Sequence, residues 1–197
     1  NNKVSFNFYF IAILVFMIIS DDSGFVIYGF LSAILHEIGH ILAMMYFGKN
    51  VKKIEFGFAN IDLLMEGKNL NCNSFETVII FLSGSLLNFL ISILFKILYS
   101  IFGFTVFDVI FYQNLFLGII NLLPIYSLDG ECLIRKFLEG NFSDKNIDAI
   151  ISVTSLIFTL PILIVGFLLI FHSKYNLSLF LVCIYLISFF IFKKDIF

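Results

Sequence analysis

Long apolar runs separated by short polar breaks dominate the chain. A helix crosses a bilayer core with about 20 consecutive apolar residues, and six runs approach or exceed that length. The runs extend over Phe6 to Ser20, Phe25 to Phe47, Phe75 to Ile101, Phe104 to Leu123, Ile147 to Phe171 and Tyr175 to Phe192. The pattern therefore predicts an all-α polytopic membrane protein with about six transmembrane helices.

A different pattern follows the second run, between Val51 and Glu66. Apolar side chains alternate there with charged residues or glycine at a period of two, which is typical of a strand. Ala59 and Asn60 suit a turn before a second strand that begins near Ile61. We expect a short membrane-associated β-hairpin after the second helix; the alternative is an amphipathic loop on the membrane surface.

Composition agrees with a membrane protein, because 60% of the 197 residues are hydrophobic and 13% are charged. Soluble domains are about 45–50% apolar.

The net charge of −2 gives no basic excess for binding nucleic acid. Cys72, Cys132 and Cys183 lack CxxC spacing, so no disulfide framework is expected. Without repeats or room for a soluble domain, residues 1–197 are predicted to form a single integral-membrane domain.

Basic residues predict the orientation, because cytoplasmic loops are enriched in Lys and Arg. With an even number of spans both termini share one side, and only Lys96 and Lys174 of the 12 basic residues fall on the other. Both termini are therefore expected in the cytoplasm. No small-residue cleavage site follows Ser20, so the first run is expected to be a span and not a cleaved signal peptide.

Three ionisable side chains interrupt the second run in the sequence His-Glu-x-x-His. His36 and His40 are four residues apart and would share one face of a helix, where both rings can bind one metal ion. Glu37 could take a proton from a metal-bound water. Gly39 would let another backbone approach closely. A charge at a helix centre costs roughly 2.5–3.5 kcal/mol, which a metal would offset; the alternative is mutual hydrogen bonding.

A catalytic zinc ion needs a third protein ligand. The best source is the stretch NLLPIYSLDGE, residues 121–131, where Pro124 should end the fourth helix. Asp129-Gly130 is a turn signal, which predicts a carboxylate on irregular backbone at the membrane boundary. Asp129 is the preferred ligand, and Glu131 and Cys132 are the rival candidates.

These motifs together resemble the site-2 protease family of intramembrane zinc metalloproteases. The HEIGH stretch, the strand-like loop and NLLPIYSLDG carry this resemblance. The six-span plan with no inserted PDZ domain is most similar to the branch containing the stage IV sporulation protease that processes a pro-sigma factor. The resemblance implies a zinc metalloendopeptidase with one catalytic Zn²⁺. It further implies that His36, His40 and Asp129 hold the ion and that Glu37 is the general base.

The resemblance also implies a polar lining for the site. The family's Gly-Pro-x-x-Asn pattern falls on GSLLN and its Asn-x-x-Pro pattern on NLLP, so Asn88 and Asn121 are both substrate or oxyanion candidates. Ser85 and Ser127 stand where the family usually has proline, and Glu131 stands where it usually has glycine. No PDZ or CBS domain is expected.

The implied substrate is a membrane protein or a membrane-tethered regulator such as a pro-sigma factor, cleaved in or near a transmembrane segment. The expected location is a bacterial cell membrane. An inhibitory membrane partner would suit such an enzyme, although no residue indicates one. Three alternatives stay open: a membrane zinc protease with a different third ligand, a catalytically silent membrane binding protein, and a transporter.

Overall fold

The computed structural model describes residues 4–6, 8–19, 21, 24–49, 51–56, 61–65 and 74–172. This described part contains six helices and three strands. In chain order they are β1 (Val4–Phe6), α1 (Phe8–Ile19), α2 (Phe25–Tyr46), β2 (Val51–Phe56), β3 (Ile61–Met65), α3 (Ser74–Phe102), α4 (Thr105–Asn121), α5 (Asp129–Leu138) and α6 (Asp144–His172).

Three of the described helices are long and apolar enough to cross a membrane, judged by length and composition. They are Phe25–Tyr46, Ser74–Phe102 and the part of α6 from Asp144 to Val165. The apolar helix α4 is shorter, and α1 has 12 residues. The chain is thus a membrane protein, as predicted. The count of six spans stays a prediction, because the run from Tyr175 to Phe192 lies outside the described residues.

Helix α5 corrects one expectation, since the sequence predicted a turn at Asp129-Gly130. Asp129 is instead the first residue of a helix. Asp129 and Glu131 in the first turn, with Arg135 and Lys136 in the last, complement the helix dipole. The irregular backbone lies just before α5, where Ser127 adopts a left-handed φ of 70°. The predicted break near Pro124 is confirmed, because α4 ends at Asn121.

The strands form one sheet in the order β1-β2-β3. β2 pairs antiparallel with β3, with Ile54 opposite Leu63, and parallel with β1, with Ile54 opposite Val4. The predicted turn at Ala59 and Asn60 lies outside the described residues. The sequence did not predict β1, because three residues are too few to show a period of two.

The chain divides into two compact units, Asn1–Leu122 and Leu123–Phe197. The first unit contains the sheet and α1 to α4, and the second contains α5 and α6. Two ion pairs mark opposite ends of the α2, α3 and α4 bundle. Lys49, after α2, lies 3.3 Å from Glu76 in the first turn of α3, and Lys96 of α3 lies 2.8 Å from Asp108 in the first turn of α4.

Candidate metal centre

The two motif histidines lie side by side in the interior of the first unit. His36 and His40 are 4% and 6% exposed, and their Nε2 atoms are 3.1 Å apart. Two nitrogens at about 2.0–2.1 Å from a tetrahedral zinc ion would be roughly 3.3 Å apart. The pair therefore has the spacing that one such ion requires.

Helix α3 orients the ring of His40. The Nδ1 atom lies 2.7 Å from the backbone oxygen of Ile80, to which the Ser83 hydroxyl also donates at 2.6 Å. A carbonyl oxygen only accepts, so Nδ1 carries the proton and Nε2 of the neutral ring keeps its lone pair. A ring held in this way is typical of histidine ligands to metals.

Two glycines bring α2 and α3 into backbone contact at this level. A Cβ atom on Gly39 would lie 2.6 Å from the backbone oxygen of Ser83. A Cβ atom on Gly84 would lie 2.5 Å from Nε2 of His40 and 2.7 Å from Nε2 of His36. The predicted close approach at Gly39 is confirmed. Sequence reasoning missed the part played by Gly84, although it opens the GSLLN stretch.

Three further candidates also belong to the first unit. Glu37 is half-buried on α2, beside the histidines in sequence. Asn88 is completely buried on α3, one turn beyond Gly84. Asn121 is the last residue of α4, and its Nδ2 atom donates to the backbone oxygen of Leu117 at 3.1 Å.

The candidates for the third ligand lie together in the second unit. Asp129 is half-buried at the start of α5. Both carboxylate oxygens of Glu131 have partners: one accepts from the backbone N–H of Ser127 at 2.9 Å, and the other from Arg135 at 3.2 Å. Burial, reinforced by the charges of Glu131 and Asp129, raises the pKa of Cys132 to about 12. Both oxygens of Glu131 are thus engaged, and the Cys132 thiol stays protonated at neutral pH.

Part of the chain matches a known family. Residues 103–162 match the family model of peptidase family M50. This range includes α4, α5 and the first part of α6, with Asn121 and Asp129. The matched range begins at residue 103, so it does not include His36 and His40.

Two curated relatives carry zinc metalloprotease names. A Bacillus subtilis protein named "Putative peptide zinc metalloprotease protein YydH" is 31% identical over 124 residues, which are 58% of this chain and 47% of the relative. "Zinc metalloprotease MJ0392" of Methanocaldococcus jannaschii is 27% identical over 122 residues, 57% of this chain and 34% of the relative. The chain thus matches less than half the length of each of these relatives. Their names agree with the predicted zinc cofactor.

A solved structure shares the fold. The site-2 protease from Methanocaldococcus jannaschii superposes with a TM-score of 0.68 at 22% sequence identity, over 94% of this chain and 88% of that chain. The chain thus shares its fold with a site-2 protease, as the sequence resemblance predicts, and its residues 103–162 match peptidase family M50.

Proposed function

We propose that this chain is an intramembrane zinc metalloprotease, which hydrolyses a peptide bond in or near a transmembrane segment of its substrate. The observation that carries the proposal is the buried pair His36 and His40, with Nε2 atoms 3.1 Å apart against Gly84. Both Nε2 atoms converge on one point at the spacing of two ligands of a single zinc ion. The names of the curated relatives support zinc as that metal.

Three residues are proposed as the zinc ligands: His36, His40 and Asp129. Asp129 is preferred to Glu131 because the family's Leu-Asp-Gly motif falls on it. When bound, zinc supplies a Lewis acid that polarises a carbonyl and lowers the pKa of a coordinated water. The Ile80 carbonyl keeps the His40 proton on Nδ1, so Nε2 would be the atom of His40 that holds the ion.

Glu37 is proposed as the general base. Its carboxylate accepts the proton of the attacking water and then delivers it to the leaving amine. Asn88 and Asn121 are proposed as polar lining for the scissile carbonyl, since the family's two asparagine patterns fall on them. Amide groups in such positions stabilise a developing oxyanion.

An extended substrate would pair with the edge of the sheet. A peptide bond in a helix is protected by its own hydrogen bonds, so hydrolysis requires an unwound segment. The strand pattern in the sequence predicts such an edge around Ile54 to Phe58, but among the described strands β2 is paired on both sides, so this prediction is wrong for β2. The outer side of β3 (Ile61–Met65) is the better candidate for strand addition.

The proposed substrate class rests on the sequence resemblance alone. A membrane-tethered regulator such as a pro-sigma factor is the proposed substrate class. Six spans and cytoplasmic termini are the proposed topology, on the distribution of the basic residues. This orientation would put the Lys49 and Glu76 end of the bundle at the cytoplasmic side.

Loss of the base tests the proposed activity. Purified wild type and Glu37→Gln are assayed in lipid nanodiscs against a library of fluorogenic single-span peptides, with Glu139→Gln as the matched control. Glu139 is an exposed residue paired with Lys136 at 2.6 Å, so its variant should cleave as wild type does. Glu37→Gln should lose at least about 100-fold in rate. Full cleavage by Glu37→Gln would contradict the assignment.

A further inference from the structure

The turn that leads into α5 contains two departures from the family pattern, one on each side of Asp129. Ser127 stands where the family usually has proline, and Glu131 stands where it usually has glycine. The two residues contact each other, because the backbone N–H of Ser127 donates to Oε2 of Glu131 at 2.9 Å. Proline has no N–H and glycine has no side chain, so the usual pair lacks this hydrogen bond. The two departures therefore form one interaction.

Ser127 needs such a partner, because its backbone is strained. Its φ is 70°, in the left-handed region that residues other than glycine rarely adopt. Such a conformation costs free energy and persists only where the surrounding structure holds it. The proline ring fixes φ at about −65°, so proline does not fit this turn. Glu131 supplies a contact that holds Ser127, two residues before Asp129.

The first turn of α5 follows a residue that cannot cap it. Leu128 occupies the N-cap position, and its side chain has no polar atom. In many helices a glutamate at the third position reaches back to the N–H of the N-cap residue. Glu131 is at the third position of α5 but reaches one residue further back, to Ser127. One carboxylate thus connects the turn with the start of the helix at Asp129.

Arg135 holds the Glu131 carboxylate from the other side. Its guanidinium donates to Oε1 of Glu131 at 3.2 Å and to Oδ1 of Asp148 at 2.9 Å. Asp148 belongs to α6, so the three side chains connect α5 with α6. The Glu131 side chain is only 15% exposed, so solvent screens its ion pair less than a pair on the open surface.

Helix α6 also holds the residues before Ser127. The backbone N–H of Tyr126 donates to the Ser155 hydroxyl at 3.1 Å, and this hydroxyl donates to the backbone oxygen of Pro124 at 3.2 Å. Ser155 is a buried residue of α6. The turn is therefore attached to α6 at both ends, through Ser155 at its beginning and through Glu131 at its end.

We propose that Glu131 is a positioning residue for the third zinc ligand. Its carboxylate, which Arg135 and Asp148 hold in place, accepts the N–H of Ser127. This contact keeps the turn left-handed and so fixes the backbone position of Asp129. The role rests on the proposed function, in which Asp129 binds the ion. Residues that orient metal ligands commonly contribute about 10- to 100-fold to metal affinity.

Titration of the metal-stripped protein in nanodiscs with Co²⁺ tests this role without substrate. Co²⁺ takes the place of zinc in tetrahedral sites, and its visible absorption reports the arrangement of its ligands. Glu131→Ala should bind Co²⁺ about 10- to 100-fold more weakly than wild type and should shift the absorption bands. Glu131→Gln keeps an oxygen that accepts the Ser127 N–H, so its affinity should stay close to wild type. Glu139→Ala is the matched control, since Glu139 pairs with Lys136, away from the turn.

Two results would overturn the positioning role. Equal loss of Co²⁺ affinity in Glu131→Ala and Glu131→Gln would mean that the carboxylate itself binds the ion. A Glu131→Ala protein with a lower Tm, but with the affinity and absorption of wild type, would mean that Glu131 only stabilises the fold.

Arg135→Ala gives a second test, which also serves if Glu131→Ala does not fold. This variant keeps the Glu131 carboxylate but releases it from Asp148, so Co²⁺ affinity should fall several-fold. Wild-type affinity in Arg135→Ala would overturn the proposed clamp.

Failure of the proposed function gives a different result from failure of the positioning role. A wild-type protein that binds no Co²⁺ would overturn the metal site and the positioning role with it. Wild-type binding that depends on His36 but is unaffected in Glu131→Ala would overturn the positioning role alone.

Discussion

His40 shows how one residue of the site depends on a neighbouring helix. Its pairing with His36 could be predicted, since a spacing of four is a local property of a helix. The Ile80 carbonyl that orients its ring is 40 residues away in sequence. No local pattern identifies that contact, because it arises only when α2 and α3 pack together.

Gly84 gives a prediction at the same scale. Gly84→Ala should weaken zinc binding about 10- to 100-fold, because the new methyl group would displace both Nε2 atoms. Gly29→Ala on α2 is the control, since its added Cβ meets nothing closer than 3.8 Å. Competition with a calibrated chelator measures both affinities. Equal affinity of Gly84→Ala and wild type would show that the ion does not sit against Gly84.

Cys132 gives a prediction of pH dependence. Burial raises the pKa of its thiol from 9.0 to about 12, so at pH 8 its thiolate fraction should be on the order of a thousandfold smaller than that of a free cysteine. The contribution of the neutral Cys132 thiol to the free energy of unfolding is fully present below pH 9, the pKa of this thiol in the unfolded chain. It is lost as the pH rises toward 12, the pKa in the folded protein. Iodoacetamide labelling of a Cys72→Ser, Cys183→Ser protein should therefore accelerate steadily with pH. Labelling of the folded protein at the rate of its denatured control would contradict this.

At the scale of elements, apolar runs predicted the long helices and the short helix α1, but they did not predict α5 or β1. The bounds of α2 and α3 agree with the predicted runs within a residue, because burial in lipid makes a helix apolar on every side. Helix α5 was missed because Asp129-Gly130 also suits a turn, although its acidic first turn and basic last turn were visible. The position of β2 in the middle of the sheet was not predicted, because it depends on pairing with β1, which is distant in sequence.

The contact between α2 and α3 can be tested through Gly39. Gly39→Ala should destabilise the protein by about 1–3 kcal/mol, since its Cβ would lie 2.6 Å from a backbone oxygen that cannot move away alone. Unfolding in nanodiscs by heat or denaturant measures the difference, again with Gly29→Ala as the control. A Gly39→Ala protein as stable as Gly29→Ala would mean that the helices are not in backbone contact.

At the scale of the whole molecule, the distribution of charge predicts which ends of the α2, α3 and α4 bundle face the cytoplasm. Lys49→Cys, after α2, should react with a membrane-impermeant thiol reagent only from the cytoplasmic side. Phe104→Cys, between α3 and α4, should react only from the opposite side. Both are made in a background with the three native cysteines replaced by serine. Labelling of both positions from one side would refute the orientation.

The most direct test of the central claim is the amount of zinc per chain in detergent-purified protein, measured by mass spectrometry without added chelator. We expect near-stoichiometric zinc in wild type, Glu37→Gln and Glu131→Gln, and its loss in His36→Ala and Asp129→Asn. A metal-free wild type would contradict the zinc site itself, and zinc retained by Asp129→Asn but lost by Glu131→Gln would move the third ligand to Glu131.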